Sequence, residues 1–416
     1  MLITTKTAKE KNRMTQLNFT MEMDDLVYLV LQPQNERIAK IATDILNQAL
    51  EAQCEAQIQA KRYERTEERV EYRNGYYSRS LNTLLGKLVL RVPRLRNGPL
   101  ETQIFENYSR SETGLITGLM EMVIQGVSTR KVTKITEELC GCSFSKSTIS
   151  KICQKLDPEV ETFRHRPLES SFPFVFVDAM YIRVREDGHI VKKALTIALA
   201  IRNDGYREIV GFGLFDGETD SSWRKFINSL KERGLENVDL FISDSHASIK
   251  KAITETYPQA QWQHCQAHLV RNILDEVARK DRKTVSNELS RMFGCTNFSE
   301  ARKIRDEIVD KYYRIYPKAM NILDDNFIDA TRIMGLKNSK LQYSLRTSNR
   351  IERLNRELRR REKVIQVFPN AKSAIRILGA VLMEQNEELS CSARITAITT
   401  YRENRTVWLQ NMKEIA

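Results

Sequence analysis

The sequence lacks any long apolar run and any secretory leader. Its longest largely apolar stretches are short, such as residues 194–201, whereas a membrane-spanning helix needs about 20 apolar residues, so no transmembrane segment is predicted. The first residues, MLITTKTAKEKNRMTQLNFT, are polar and have no apolar centre. Internal repeats and low-complexity tracts are also missing. The seven cysteines are odd in number and scattered, which argues against a disulfide framework and predicts a reducing, cytoplasmic protein.

The charge balance of the chain is strongly basic. Lys and Arg number 66 against 54 Asp and Glu, which gives a formal charge of +12 over 416 residues. A chain of this kind favours a polyanion as its partner, nucleic acid first, and is not an acidic solvating protein. Hydrophobic residues make up 41% and charged residues 29% of the sequence. These proportions are typical of a globular protein and, at this length, predict about two to four domains.

Hydrophobic periodicity and turn residues divide the chain into segments. Helical spacing covers 35–62, strands are predicted up to Pro93 with an Asn-Gly turn within 72–77, and two helical stretches close the chain. The expected segments are a loose leader (1–20), a helical and β-hairpin region (21–110), a helix-turn-helix region (111–168), the first part of an α/β core (169–280), a helical insertion (281–345), the last helix of the core (346–370) and C-terminal helices (371–416).

Two short amphipathic helices are predicted at 128–139 and 145–156, joined by a turn at Gly141. This is the helix-turn-helix pattern. The second helix presents small polar and basic residues suited to phosphate and base contacts, namely Lys146, Ser147, Thr148 and Lys151. The alternative is a helical hairpin that packs two domains together. In a chain this basic, DNA contact is the preferred interpretation.

A different pattern begins at Ser171. Apolar runs typical of strands occupy 174–184, 193–201, 206–215, 238–243 and 260–265, and helical spacing follows the third, fourth and fifth of them. The order is β-β-β-α-β-α-β-α. Three antiparallel strands followed by βα units predict an α/β fold with a mixed sheet and helices on both faces.

Three acidic residues are candidates for chemistry. Asp178 ends the apolar run FVFV, and Asp244 follows the strand VDLFIS. These two carboxylates can converge because the fourth strand can lie beside the first, and open α/β sheets bind ligands at the carboxyl ends of their strands. Glu352 lies in the first turn of a charged helix. The alternatives are an Asp that accepts backbone bonds, an N-cap at Asp244, and a near capping box formed by Asn349 and Glu352.

Converging carboxylates repel one another unless cations are present. Divalent cations with oxygen ligands resolve this, and two Mg²⁺ ions about 4 Å apart are the usual apparatus for phosphoryl transfer. Glu352 shares a helix face with Asn355, Arg356 and Arg359, and the arginines could follow a phosphate backbone. The alternative is a solvated face with i,i+4 pairs such as Glu352–Arg356.

Cys265 and His268 form a Cys-x-x-His pair after the fifth strand. A zinc site usually needs four such ligands, and Cys140 and Cys142 have no companion histidines nearby. Zinc is therefore not the preferred interpretation. We expect a buried Cys beside a hydrogen-bonded His, and we expect Trp262 to belong to the core.

In combination these motifs resemble the bacterial Mutator-type insertion-sequence transposases. The matching segments are YERTEERVEYRNGYYSR (63–79), LLGKLVLRVPRLRNG (84–98), FVFVDAMYIRVRE (174–186), ISDSHASIKKAITETYPQAQWQHCQAHLVRN (242–272) and SNRIERLNRELRRREKVIQVFPN (348–370). The resemblance covers nearly the whole chain from Met14. It implies a ribonuclease H-like catalytic domain with an Asp-Asp-Glu triad, interrupted by a helical insertion, and an N-terminal part that recognises terminal inverted repeats.

The resemblance also assigns roles to residues. It implies that Asp178, Asp244 and Glu352 are the catalytic triad and hold two Mg²⁺ (or Mn²⁺) ions. The residues expected to support the active site are His246, Cys265, His268, Asn349 and Asn355. The arginines expected to hold DNA near it are Arg350, Arg353, Arg356, Arg359 and Arg360.

The expected function is that of an insertion-sequence DNA transposase in the bacterial cytoplasm, associated with the nucleoid. It would bind double-stranded DNA at terminal inverted repeats and at the target, and cleave and transfer strands by direct transesterification. A homodimer or larger assembly is expected because two DNA ends must meet, and no membrane is involved. The alternatives are a nuclease of the same fold that only hydrolyses, a catalytically silent DNA-binding regulator and an RNA-binding helical protein.

Overall fold

The computed structural model describes residues 34–83, 85–102, 104, 113–140, 143–168, 171–336, 338–346 and 349–414. The expected leader (1–20) lies outside these residues. Backbone contacts divide the chain into two compact units, Met1–Met122 with Thr129–Ile152 and Val123–Ser128 with Cys153–Ala416. The segment boundaries expected from the sequence are finer than this division and stay predictions. Within the described residues, no helix is both long and apolar enough to cross a membrane.

The first unit packs a long helix against a β-hairpin. The elements that begin in it are α1 (Gln34–Ile58), β1 (Arg73–Thr83), β2 (Gly86–Leu95), α2 (Thr113–Ile124), α3 (Thr129–Cys140) and α4 (Lys146–Cys153). Inward-facing residues alternate along β2, and Leu88, Leu90 and Val92 pack with Leu81 of β1 against Leu50 of α1. This period-two pattern buries one face of the hairpin.

Two details of the hairpin differ from the sequence-based expectation. The Asn-Gly pair expected to form a turn lies inside β1, where Gly75 has a φ of +78° and the register shifts between Arg73 and Tyr76. Glycine permits a bulge here as readily as a turn. Pro93 was expected to end the strand, but β2 continues to Leu95. Both strands of a two-stranded sheet are edges, so a missing N–H is tolerated.

The second unit contains the sheet and most of the helices. In chain order its elements are a 3-10 turn (Gln154–Leu156), α5 (Asp157–His165), β3 (Phe174–Glu186), β4 (His189–Ile201), β5 (Arg207–Phe215), α6 (Asp220–Glu232), β6 (Leu240–Ser243), α7 (Ala247–Thr256), β7 (Gln261–His264), α8 (Gln266–Asp275), α9 (Arg282–Gly294), α10 (Phe298–Tyr312), α11 (Pro317–Thr331), a 3-10 turn (Arg332–Leu336), α12 (Ser339–Arg346), α13 (Asn349–Ile365), α14 (Ala371–Ser390), α15 (Ala397–Glu403) and α16 (Arg405–Glu414).

The five-stranded sheet is mixed, as the sequence predicts. Its strand order is β5-β4-β3-β6-β7, with β3, β4 and β5 antiparallel and β6 and β7 parallel to β3. The predicted β-β-β-α-β-α-β-α order is confirmed. The predicted adjacency of the first and fourth strands is also confirmed, because Phe174 pairs with Leu240 and Phe176 with Ile242.

Both faces of the sheet are covered. Along β3, Val175 and Val177 face a core formed with α6 and α7, whereas Phe174, Phe176 and Met180 face a second core that includes α13 and α14. Since side chains alternate along a strand, the even-numbered positions of β3 all point toward the α13 side. This parity directs Asp178 toward the helix that carries Glu352.

The described residues between the sheet and α13 form helices. Their core joins α9, α10 and α11 to Leu269 and Ile273 of α8. At the C-terminal end the sequence predicted two helical stretches, but the structure has three, because the chain breaks at Asn404, where φ is −112°, between α15 and α16.

Candidate active site

Two aspartates lie close together on the neighbouring strands β3 and β6, Asp178 within β3 and Asp244 directly after the last residue of β6. Asp178 follows Phe176 by two residues, and Asp244 follows Ile242 by two, while Phe176 and Ile242 are direct partners in the parallel register. The register therefore brings the two acidic residues to the same level of the sheet, where β6 ends and β3 continues. Their charges interact, because Asp244 contributes to raising the pKa of Asp178.

Both oxygens of the Asp178 carboxylate are held. Its Oδ1 accepts from the backbone N–H of Ala179 at 2.9 Å, and its Oδ2 accepts from Nδ2 of Asn355 at 2.8 Å. Burial raises the pKa of Asp178, which opposes its ionisation, while the nearby His268 and the two hydrogen bonds favour the ionised form. Asn355 Oδ1 is buried without a hydrogen-bond partner.

Asp244 is more exposed than Asp178, and its carboxylate is stabilised in the ionised form. Its Oδ1 accepts from the backbone N–H of Ser245 at 2.6 Å. His264 Nε2 lies 3.7 Å from the same oxygen, and the His264 side chain is only 1% exposed. The contact with His264, followed by the Ser245 bond, lowers the pKa of Asp244 to about 2. Asp244 is therefore ionised at neutral pH.

Glu352 reaches the site from α13. The buried stripe of this helix, Ile351, Leu354 and Leu358, packs into the core. Glu352 lies off that stripe and is half-buried. It pairs with Arg271 of α8, whose Nη2 is 3.3 Å from Glu352 Oε1, and not with Arg356, the partner in the alternative interpretation of this helix face.

A cleft of about 630 Å³ is lined by residues of β3, α8 and α13. Two of the candidate carboxylates, Asp178 and Glu352, line it together with Asn355 and His268. Its basic lining residues are Arg271, Arg356, Arg359, Arg360 and Lys363. The cleft thus combines a carboxylate centre with a row of cations, an arrangement that suits a phosphodiester substrate.

The Cys265–His268 pair lies beside this cleft, and His268 lines it together with Asp178. Cys265 is 1% exposed and hydrogen bonds to His268, which agrees with the expected buried Cys beside a bonded His. That bond, assisted by the charges of Asp178 and Asp244, raises the pKa of His268 to about 9. His268 therefore carries a positive charge at neutral pH and offsets the repulsion between the aspartates. The predicted core position of Trp262 is confirmed.

The donor chemistry of the site fits a hard divalent cation. Carboxylate oxygens and the unpartnered Oδ1 of Asn355 are the donors that Mg²⁺ prefers. Within the described residues, no three His, Cys, Asp or Glu side chains are grouped closely enough to hold a metal ion. Glu352 accepts a hydrogen bond from Arg271, so this carboxylate is not grouped with the aspartates.

The other predicted site residues are distributed as follows. His246 is exposed at the start of α7. Arg353 lines a different cavity, beside α14. The residues on α4, Lys146, Ser147, Thr148 and Lys151, are all exposed. The side chains of Leu139, Cys140, Asn349 and Arg350, and the whole of Gly141 and Cys142, lie outside what the structure describes.

The sequence reasoning missed Arg271 and gave His264 no role. A signal existed for Arg271, because it lies three residues after His268 on the same face of α8 and so reaches the same cleft. For His264 the signal was weaker, because a histidine at the end of a strand is often only a packed or hydrogen-bonded core residue.

The family model described as "Transposase, Mutator family" matches residues 14–392. The chain belongs to the Mutator family of transposases. It is 42% identical over 385 residues to the transposase for insertion sequence element IS256 in transposon Tn4001 of Staphylococcus aureus, a match that covers 92% of this chain and 98% of that protein.

Two further relatives extend the similarity. The chain is 37% identical over 381 residues to the transposase for insertion sequence element ISRM5 of Rhizobium meliloti (strain 1021), covering 92% of this chain and 96% of that protein. It is 32% identical over 318 residues to the transposase for insertion sequence element IS1081 of Mycobacterium tuberculosis, covering 76% of each.

Proposed function

We propose that the protein is an insertion-sequence DNA transposase of the Asp-Asp-Glu type, which cleaves DNA at terminal inverted repeats and joins the ends to a target. The observation that carries this proposal is the convergence of β3, β6 and α13 on one edge of the sheet. Asp178 within β3 and Asp244 directly after β6 lie at the same level of adjacent strands, and Glu352 shares the cleft of Asp178. Family membership supports the same conclusion.

The proposed core is ribonuclease H-like. Its support is the strand order β5-β4-β3-β6-β7, with three antiparallel strands followed by two parallel ones. The proposed DNA-recognition element is a helix-turn-helix formed by α3 and α4. Its support is the pair of short helices linked by a hydrogen bond of 2.8 Å from Thr133 Oγ1 to the carbonyl of Phe144, and the exposed polar face of α4.

In the proposed mechanism, Asp178, Asp244 and Glu352 would hold two Mg²⁺ or Mn²⁺ ions, and Glu352 would exchange its contact with Arg271 for one with an ion. When bound, such ions activate the attacking oxygen and stabilise the leaving one. Asn355 keeps the Asp178 carboxylate oriented through the bond to Oδ2. A water first cleaves a phosphodiester at the element end, and the freed 3′-hydroxyl then attacks a target phosphodiester, so each bond broken is balanced by one formed.

Basic side chains of the cleft hold the DNA in this proposal. Arg271, Arg356 and Arg359 are available to phosphates once substrate enters, together with Arg360 and Lys363. Two element ends must be joined in one event, so we infer that a homodimer or larger assembly acts. The proposed setting is the bacterial cytoplasm, where the DNA substrate lies.

The test is nicking of a labelled duplex that carries the element's terminal repeat. We expect nicks at the repeat end with Mg²⁺, none with EDTA, and none with Glu352→Gln. Asp310→Asn, which changes an exposed carboxylate of α10 outside the cleft, is the matched control and should nick normally. Nicking by Glu352→Gln at the wild-type rate would contradict the proposal. Binding of the duplex without nicking, in Mg²⁺ and in Mn²⁺, would favour the alternative of a catalytically silent DNA-binding regulator.

A further inference from the structure

Strands β3 and β4 continue beyond the rest of the sheet as a two-stranded ribbon, residues 182–193. Parallel pairing of β3 with β6 ends at Phe176, and antiparallel pairing of β4 with β5 begins at Ala194. The two strands pair with each other as far as Glu186 and His189. The ribbon therefore extends past the level at which the candidate carboxylates lie.

The ribbon is bonded to the segment that follows α13. Val184 forms a parallel bridge with Phe368. The backbone N–H of Phe368 donates to the carbonyl of Arg183 at 2.9 Å, and the N–H of Arg185 donates to the carbonyl of Phe368 at 2.8 Å. Phe368 comes three residues after Ile365, the last residue of α13. The end of α13 is thus fixed beside the ribbon.

β3 and α13 run side by side from the candidate site to this junction. They are joined at one end by the bond from Asn355 to Asp178 and at the other by Phe368. Along β3 the distance from Asp178 to Val184 is about 20 Å. The cations that line the cleft along this part of α13 are Arg356, Arg359, Arg360 and Lys363. A row of positive charge therefore leads from the carboxylates toward the ribbon.

One face of the ribbon is exposed and basic. Ile182 and Val184 are buried in the core that includes α13. Because side chains alternate along a strand, Arg183 and Arg185 face the other side, where both are exposed. Lys192 is the direct partner of Arg183 on β4 and is exposed on the same face. Within the described residues, none of these three cations takes part in an ion pair.

The pairing of Arg183 with Lys192 does not serve the fold. Like charges directly opposite each other on neighbouring strands are destabilising. Two acidic side chains at the ribbon, Glu186 and Asp216, both bond to Lys193 on the opposite face, at 2.8 and 2.7 Å. They leave the charge of the exposed face without a partner. An anionic ligand would relieve this repulsion, and a polyanion matches a row of cations.

We propose that Arg183, Arg185 and Lys192, here called the ribbon surface, bind backbone phosphates of the duplex whose scissile bond lies at the carboxylates. The inference rests on the proposed function and adds a DNA contact outside the cleft. Along β3, Arg183 and Arg185 lie about 17 and 23 Å from Asp178. A duplex rises by about 3.4 Å per base pair. The ribbon surface should therefore contact phosphates about 5–7 base pairs from the cleaved bond.

The test combines DNA affinity with ethylation interference, which maps the phosphates that the protein needs. The full chain is bound in EDTA to the duplex that carries the terminal repeat, so that no strand is cut. The variants are Arg183→Gln and Arg185→Gln. Arg402→Gln is the matched control, because Arg402 is an exposed arginine of α15 that lines a cavity with Pro173, before the start of β3.

We expect the wild type to show interference about 5–7 base pairs from the nick site, and each ribbon variant to lose part of it. Each variant should bind roughly 10-fold more weakly, with a salt slope reduced by about 1. Arg402→Gln should bind like the wild type. Wild-type affinity and an unchanged interference pattern in both ribbon variants would overturn the proposal, as would an equal loss in Arg402→Gln.

Two further variants separate DNA contact from a structural role. Lys192→Glu places opposite charges across the ribbon, so it should melt at or above the wild-type temperature and still bind DNA more weakly. Asp187→Asn removes a carboxylate from the turn of the ribbon, where φ is +48° and asparagine is tolerated. It should bind DNA at least as tightly as the wild type. Normal binding by Lys192→Glu, or weaker binding by Asp187→Asn, would contradict the ribbon contact.

Nicking with Mg²⁺ separates this inference from the proposed function. If the wild type shows the expected interference but does not nick the duplex, the proposed function fails and the ribbon contact stands. If the wild type nicks the duplex while both ribbon variants keep its affinity and its interference pattern, only the ribbon contact fails.

Discussion

Two adjacent arginines on α13 should behave in opposite ways. The Arg361 side chain is 3% exposed, whereas that of Arg360 is 59% exposed and lines the cleft. Arg361 donates to the carbonyl of Ile124 at 2.8 Å, to Gln125 Oε1 at 2.9 Å and to Glu357 Oε2 at 3.1 Å. We expect Arg361→Met to destabilise the fold and Arg360→Met to weaken DNA binding.

The expected loss of stability depends on which hydrogen-bond partners each substitution leaves without a donor. Removing Arg361 deprives the Ile124 carbonyl and the Gln125 side-chain oxygen of this donor and leaves Glu357 with the exposed Arg360, and breaking a buried pair of this kind costs about 3–5 kcal/mol. In a unit of this size that corresponds to a fall in melting temperature of roughly 10 °C. An exposed pair such as Arg360–Glu357 contributes at most about 1 kcal/mol, so Arg360→Met should melt within roughly 3 °C of the wild type.

The assay combines thermal unfolding by circular dichroism with DNA binding at several salt concentrations. Arg360→Met should lose one phosphate contact and reduce the salt slope of binding by about 1. The reasoning would be refuted if Arg361→Met melted at the wild-type temperature, or if the two variants lost stability equally.

Three further changes test other parts of the account. Asn355→Leu removes the donor to the Asp178 carboxylate and should slow nicking roughly 10- to 100-fold with DNA binding retained, which gel shift and nicking rates would show. The hydrogen bonds from Arg376 lower the pKa of Asp157 below its ordinary value of 3.8, so this pair stabilises the fold above that value and its contribution is lost as the pH falls through the folded-state pKa. Urea unfolding of Asp157→Asn should therefore differ most from the wild type near neutral pH and converge with it in acid. Gly205→Ala should destabilise by about 1–3 kcal/mol in the same assay, because φ is +89° and a Cβ would lie 2.5 Å from a backbone carbonyl oxygen; an unchanged midpoint would contradict this.

The α/β core was predictable because its signals are local. Apolar runs mark the strands, and Asn203-Asp204-Gly205 marks the turn between β4 and β5, where Gly205 has a positive φ. The place of Asp178 after FVFV and of Asp244 after LFIS needed only the assumption that β3 and β6 are neighbours. That adjacency is a general property of such sheets, and the register bears it out.

The partners of the carboxylates were not predictable in the same way. The Glu352–Arg271 bond joins residues on either side of the helical insertion, and the His264–Asn326 bond joins the sheet to the insertion itself. No local pattern specifies how that insertion docks. Arg361 lies between these cases. Among neighbouring arginines it looks like a DNA contact, yet it continues the spacing of the buried Leu354 and Leu358, which indicates burial.

The most direct test of the central claim is strand transfer from an end that is already cleaved. A labelled repeat end with a free 3′-hydroxyl is incubated with a plasmid target and Mg²⁺, using the wild type and Asp178→Asn. The account predicts covalent joining of the end to the plasmid by the wild type, and none by Asp178→Asn or in EDTA. Joining by Asp178→Asn would contradict the assigned triad, and hydrolysis of the repeat DNA without joining would contradict the assignment as a transposase.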